Sequence, residues 1–508
     1  MISVVDTGAP TPCPTPFNMA AYVLAHASTV PDKIALAVLG PARAERWSYA
    51  RLEAAVRGTA TGLTEQGLSP GDRVLLRLGN TVDFPIAYLG CIAGGLIPVP
   101  TSPQLTSREV SALLPGLEPR AILHAPDVAC PDTDLPVIGP ESLAAMRDLP
   151  PSDYAMGDPE RPAYIVYTSG TAGLPRAVVH AHRAIWARRM MHDGWYGLSS
   201  DDRLLHAGAF NWTYTMGTGL MDPWSVGATA LIPASDISIA QLPLLLKRHD
   251  ATIFAAAPGV YRKILTQHDA LALPSLRHGL SAGEKLSPRI ADEWRAATGT
   301  GIFEAYGMSE CSTFISSCPA HPAPPETLGW PQPGRRVAIL GKDGPVPRGA
   351  PGIIAVHRHD PGLMLGYLGA QEEMNARLRG DWFLTGDQGV MSENDAITYL
   401  ARDDDMMNAG GYRVSPLEVE EALADIPGIT QIAVTDIEVK RDARLIMGFY
   451  TGPEPLSEDM LRAEATRRLA GYKCPRGFFH VDTLPTNPNG KLQRRALTPI
   501  YEALNGTC

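Results

Sequence analysis

The sequence predicts an α/β protein: a large N-terminal domain of helix-flanked parallel sheets with a small β subdomain, then a small α+β C-terminal domain. Three observations support this. At 508 residues the chain is too long for one hydrophobic core. From about Asp32 to Tyr306, short apolar runs alternate with amphipathic helical stretches, as in parallel sheets covered on both faces. From Gly329 to Arg402 the texture changes to glycine and proline turns between short strands, and a compact α/β unit follows Asp403-Asp404-Asp405. The expected boundary separates 1–402 from 403–508, with the β subdomain at about 329–402.

In chain order, strands are expected at Lys33–Leu39, Arg73–Leu78, Ala121–His124, Ala163–Tyr167, Thr252–Ala256 and Ile302–Tyr306. Helices are expected between them at Tyr49–Gln66, Phe84–Ala93, Ile239–His249 and Pro288–Thr298. Thr106 with Glu109 opens a further helix that Pro115-Gly116 interrupts. The β subdomain should contain strands at Gly352–Arg358, Trp382–Thr385 and Ala396–Leu400. In the C-terminal unit, Ser415-Pro416-Leu417-Glu418 reads as a capping box with proline in the first helical position. Strands at Thr430–Asp436 and Leu445–Tyr450 and a helix from Ser457 complete it.

Hydrophobic residues form 45% and charged residues 19% of the chain, a globular balance that excludes disorder. A net charge of −10 argues against a nucleic-acid partner, which selects a basic face. The first 17 residues contain neither a basic n-region nor an apolar h-region, and no run of about 18 apolar residues exists to span a bilayer. The seven cysteines form no CxxC pair, which fits a reducing compartment, so a cytoplasmic protein without a membrane partner is expected.

Chemistry concentrates first in Tyr167-Thr168-Ser169-Gly170-Thr171-Ala172-Gly173-Leu174-Pro175-Arg176, directly after an apolar strand. Glycines let backbone N–H groups approach an anion, hydroxyls donate, and Arg176 adds charge-assisted bonds, so the loop suits a polyphosphate. It lacks the Gly-x-x-x-x-Gly-Lys order of a Walker loop.

This loop resembles the phosphate-binding signature of the superfamily of acyl-CoA synthetases, peptide-synthetase adenylation domains and luciferases. Ser281-Ala282-Gly283-Glu284, Tyr306-Gly307-Met308-Ser309-Glu310, Thr385-Gly386-Asp387, Arg402 through Arg413 and Asn489-Gly490-Lys491 match in the family order, from Tyr164 to Lys491. The resemblance implies an ATP-dependent enzyme that joins a carboxylic acid to a thiol through an acyl-AMP. Thr168, Ser169, Gly170, Thr171, Gly173 and Arg176 would hold the phosphates. Tyr306 would meet adenine, Gly283 and Glu284 would line the adenine and acyl pockets, and Asp387 and Arg402 would hold the ribose. Ser309 would donate to the α-phosphate, and Glu310 offers a hard oxygen ligand for Mg²⁺. Lys491 would be the catalytic lysine of a mobile C-terminal domain, Asp404 its hinge, and Gly410, Gly411 and Tyr412 the lining of the thiol channel. A lysine acetyltransferase acting on Lys491 is a candidate partner, because Pro485-x-x-x-x-Gly490-Lys491 is similar to the family's acetylation motif. The chain departs from the family pattern at Arg176 for lysine, Ala177 for glycine, Ala172 for threonine and Ser309 for threonine.

The acyl pocket implied by the family falls on Trp212, Thr213 and Tyr214, with Ala282, Gly307, Thr313 and Phe314. Residues 209–217 and 311–314 carry no charge, so an aromatic or short to medium-chain acid with an uncharged tail is expected. The segment from Gly471 through Pro485 reads most like aryl- and acyl-CoA ligases of the benzoate type. No carrier domain is read in the sequence, which makes CoA the expected acceptor. Two alternatives stand beside it: a freestanding ligase that loads a carrier protein, and a nucleotide-binding regulatory module without turnover. The pairs His180/His182 and His357/His359 read as structural or surface, and Met190-Met191 and Leu244-Leu245-Leu246 as core helix.

Overall fold

The computed structural model describes every residue except 9, 169–175, 403, 404, 406, 410, 411, 441, 442, 470, 472, 488–490 and 506–508, and leaves aside the side chains of 168, 408, 409, 412, 413, 440, 443 and 505. The chain divides into two compact units. One comprises Val5–Val337 and Val356–Phe383, and the other Met1–Val4, Ala338–Ala355 and Leu384–Cys508.

The larger unit is built on a nine-stranded sheet. Its six central strands run in parallel in the order Ile302–Met308, His278–Ala282, Ile253–Ala256, Arg203–His206, Thr229–Pro233 and Ile34–Leu39. Ser312–Ser316 and Trp330–Pro331 extend one edge antiparallel, and Ala44–Ser48 the other. Apolar residues face both sides of the central strands. Leu205 and Phe254 join Tyr261, Ile290 and Trp294 on one face, while Leu204, Ile253 and Leu280 join Trp195 and Tyr214 on the other. Fully burying one such side chain contributes roughly 1.5–3 kcal/mol, so two-sided burial explains the near-continuous apolar runs. A parallel sheet (Ile97–Pro100, Arg73–Arg77, Ala121–His124, Val137–Ile138) and an antiparallel one (Gly366–Tyr367, Arg176–Ala181, Pro162–Thr168) complete the unit.

Local signals explain several helices. Tyr49–Glu65 starts where the Ser48 hydroxyl accepts from the Arg51 N–H, and it buries Leu52, Val56, Ala60 and Leu63 along one stripe. Thr106 and Glu109 form both halves of a capping box, and the helix stops at Ser111 before a separate turn at Leu114–Leu117. Three expectations need correction. Ile239–His249 is a 3₁₀ turn followed by a helix at Leu242–Arg248, with Pro243 tolerated in its first turn. Within it Leu245 and Leu246 are buried, whereas Leu244 points to solvent. The Ser415 hydroxyl caps its helix at the Glu418 N–H, but Glu418 pairs with Lys473, and no reciprocal half of the box forms.

The strands Trp382–Met391 and Ile397–Arg402 are both longer than their sequence signals; they pair antiparallel within the smaller unit and place Asp387 opposite Arg402. A three-stranded sheet (Gln431–Lys440, Ala443–Thr451, Gly477–His480) carries the helices Pro416–Leu423 and Glu458–Arg468 on a core that includes Val419, Leu423, Val434, Ile446 and Leu461.

Candidate active site

The clearest constellation lies at the sheet edge where Ile302–Met308 turns back into Ser312–Ser316. The strand runs two residues beyond its expected end at Tyr306, so Tyr306, Gly307 and Met308 are strand and only Ser309, Glu310 and Cys311 form the turn. Gly307 is required there. A Cβ would stand 2.2 Å from the Ser312 carbonyl oxygen and 2.4 Å from Thr313 Cα, both backbone atoms. Ser312 itself adopts φ +63, a left-handed conformation that side chains other than glycine rarely hold.

Three elements hold this turn. The His180 ring donates from Nε2 to the Ser309 carbonyl across 2.7 Å, and burial lowers its pKa to about 4, so it stays neutral. The Met364 N–H donates to the Glu310 carbonyl at 2.7 Å. The Tyr367 hydroxyl donates to Glu310 Oε1 at 2.7 Å, with both residues buried. Burial, then the neighbouring Glu310 charge, pushes the Tyr367 phenol well above its ordinary pKa and keeps the donor proton in place.

Behind the turn lies a charge that the sequence reading of the pocket wall did not include. Arg188 is buried, donates to both Asp222 oxygens and to the Tyr196 hydroxyl, and reaches Ser312 Oγ. A second buried pair, Arg335 with Asp360, bonds the Thr313 carbonyl from the other side. Sequence reasoning missed Arg188, Asp222 and Tyr367, because a lone charge in a helical run or a tyrosine in a short strand carries no local sign of its distant partner.

The aromatic wall is also assembled. Trp212 and Tyr214 meet edge to face at 5.2 Å. The Tyr214 hydroxyl donates to the Leu280 carbonyl, and Ala282 packs in the same cluster. Gly283 has φ +95, and a Cβ there would lie 3.0 Å from the Trp212 ring. Thr213 and Glu284 are half-buried; Phe314 is buried with its ring 5.3 Å from that of Tyr306. Thr313 Oγ1 points to the Met191 sulfur at 2.6 Å.

Arg176 departs from the expected loop position. It begins the strand Arg176–Ala181 and pairs with Glu373 at 2.5 Å. Thr168 ends the preceding strand opposite it, with its side chain outside the described residues. Ser169, Gly170, Thr171, Gly173, Asp404, Gly410 and Gly411 also lie outside them, and Tyr412 is described only as backbone in Tyr412–Val414. In the smaller unit Lys491 is exposed; its N–H donates to Asn487 Oδ1 at 2.9 Å and its carbonyl accepts from the Asn487 N–H at 2.8 Å.

Of the paired histidines, His180, His182 and His357 are buried and His359 is exposed. His182 Nδ1 accepts from the Met19 N–H at 3.0 Å, and His357 Nδ1 accepts from the His359 N–H at 3.2 Å. Among the described residues, no three or more His, Cys, Asp or Glu side chains gather as a metal site. Among them too, no helix is long and apolar enough to cross a membrane.

The model of the AMP-binding enzyme family matches residues 23–368, and that of the AMP-binding enzyme C-terminal domain matches 418–491. The chain is 30% identical to benzoate–CoA ligase of Thauera aromatica over 88% of its own length and 90% of that protein's. It is 28% identical to the mitochondrial acyl-coenzyme A synthetase ACSM3 of Rattus norvegicus, over 90% of this chain and 85% of the relative. Among solved structures, a benzoate CoA ligase from Burkholderia xenovorans superposes with a TM-score of 0.86 at 27% identity, covering 95% of this chain and 99% of that one.

Proposed function

The chain belongs to the AMP-binding enzyme family as an AMP-forming acid–thiol ligase, and from that premise we propose that it activates an aromatic or short to medium-chain carboxylic acid with an uncharged tail and transfers the acyl group to CoA. The observation that carries this reading is the hairpin 302–316, which carries both the buried Glu310 carboxylate, tied by Tyr367, and the ring pair Tyr306–Phe314. The Trp212–Tyr214 wall supports an aromatic or apolar tail, in keeping with the benzoate named for the relative from Thauera aromatica. Asp222 neutralises Arg188, so the buried cation is not left to pair a second substrate carboxylate.

In the first step the substrate carboxylate attacks the α-phosphorus of ATP and pyrophosphate leaves; in the second a thiol attacks the acyl carbonyl and AMP leaves. Charge builds on the transferring phosphoryl group, so positioned donors and cations do most of the work. Ser169, Thr171 and Arg176 hold phosphates, Ser309 donates to the α-phosphate, Tyr306 meets adenine, and Asp387 with Arg402 takes the ribose. Lys491 bridges the carboxylate and the nucleotide in the first step. Domain 403–508 then turns about Asp404 and brings Gly410, Gly411 and Tyr412 to the thiol. Glu310 fits Mg²⁺, because that ion is commonly held by one or two carboxylates together with substrate phosphates and needs no cluster of protein ligands. When bound, it would neutralise phosphate charge.

Pyrophosphate release across a panel of carboxylic acids, with ATP and Mg²⁺ and with or without CoA, tests the proposal. CoA-stimulated release that peaks on benzoate-like or medium-chain acids is expected. Release that CoA fails to stimulate would redirect the acceptor to a carrier protein, and no release with any acid would sink the catalytic reading.

A further inference from the structure

One short segment touches both charged groups of the proposed phosphate site. Gly366 and Tyr367 pair antiparallel with Val179 and Val178, on the strand that Arg176 begins. The Leu365 N–H donates to the Val179 carbonyl and the Leu368 N–H to the Ala177 carbonyl, at 2.8 and 2.9 Å. The Tyr367 hydroxyl then reaches Glu310 Oε1 at 2.7 Å, while the Arg176 guanidinium lies 5.5 Å over the Tyr367 ring. From the helix that follows, Gln371–Ala376, Glu373 takes Arg176 Nε at 2.5 Å.

The two ties differ in strength. Tyr367 and Glu310 are 5% and 7% exposed, so a charge-assisted bond between them persists. The side chains of Arg176 and Glu373 are 23% and 46% exposed, and a pair in contact with water is weak and screened by salt. A polyphosphate carries several negative charges and would outcompete one carboxylate for the guanidinium.

We propose that segment 366–376 is the positioning element of the phosphate site: Tyr367 orients the Glu310 carboxylate, and Glu373 holds Arg176 aside until the phosphates of ATP displace it. Neither residue is a catalytic group; each acts through a neighbour. This inference rests on the nucleotide reading above and assigns to Tyr367 and Glu373 roles that the sequence motifs left open.

The test is binding, measured by isothermal titration calorimetry of ATP without the carboxylic acid, with and without Mg²⁺. Glu373→Gln removes the competing charge at constant size, and MgATP should bind about two- to fivefold tighter, the range of an exposed ion pair. In an Arg176→Gln background the same substitution should have no effect. An equal gain there would mean a general loss of negative charge and would overturn the role of Glu373. Tyr367→Phe removes one hydroxyl, and the factor by which Mg²⁺ strengthens ATP binding should fall about tenfold while binding of metal-free ATP stays level. An unchanged Mg²⁺ factor would overturn the role of Tyr367. Failure of the unsubstituted chain to bind MgATP would overturn the nucleotide reading and this inference with it, whereas binding that neither substitution alters would overturn the inference alone.

Discussion

His180 Nε2 donates to the backbone carbonyl of Ser309 across 2.7 Å, and its ring stacks on Tyr164 at 4.9 Å. Two neighbouring strands of one sheet therefore brace a turn that is 129 residues away in sequence. Phenylalanine at 180 would keep the stacking and leave the carbonyl without its donor. We expect His180→Phe to cost about 1–3 kcal/mol in stability and to slow pyrophosphate release with little change in KM for the acid. Urea denaturation and initial rates check both; an unaltered rate would show that the turn holds without this bond.

Acid should destabilise the fold through its buried histidines. Burial lowers His180 and His278 to about 4, and His182 and His206 to about 3. The unfolded chain takes up protons on these rings below about pH 6.5, where the folded chain does not, so their contribution is complete above that pH. It is lost as the pH falls toward 4, at about 1 kcal/mol per pH unit for each ring. Denaturant unfolding at pH 7 and pH 5 measures the loss, and equal stability at both would contradict it.

The Arg188–Asp222 pair predicts an asymmetric pair of variants. Arg188→Met leaves Asp222, which is 1% exposed, without its cation, and should destabilise by about 3–5 kcal/mol. Adding Asp222→Leu should restore much of that loss, because the desolvated charge is then gone. A double variant no more stable than Arg188→Met would show that the cation acts mainly through Tyr196 and Ser312.

Lys491 should separate the two proposed steps. Lys491→Ala is expected to lower acyl-AMP formation by at least about a hundredfold, as when a donor to developing charge is removed. Thioester formation from supplied acyl-AMP and CoA should continue. Acetylation of Lys491 should have the same effect as alanine, since it removes the charge. Normal acyl-AMP formation by a uniformly acetylated sample would end both the role of Lys491 and the regulatory idea.

Gly283→Ala probes the proposed acyl wall. The backbone at φ +95 disfavours a side chain, and the added methyl would press on the Trp212 ring at 3.0 Å. The preferred acid should shift toward smaller rings or shorter chains, with KM for the acid rising more than KM for ATP. Equal changes in both constants would place Trp212 away from the acid.

The turn that carries Glu310 and the aromatic run that carries Trp212 and Tyr214 were legible as local structure, and the fold keeps both as a hairpin turn and a ring pair. The helix at Ile239 was misread because helical periodicity does not reveal that the first turn tightens ahead of Pro243. Arg176 was assigned to the loop because its charge suits phosphate, whereas strand pairing and Glu373 place it on the sheet.

By itself the sequence determined the α/β class, most of the strands, the capping box at Thr106 and Glu109 and the family, because alternation, turn chemistry and motif order are local properties of the chain. Only the tertiary structure decided that His180 holds Ser309, that Tyr367 holds Glu310 and that Arg188 meets Asp222 behind Ser312. Each of those contacts joins residues far apart in the chain, and what selects it is the need to satisfy a buried polar group once the sheets have closed around it.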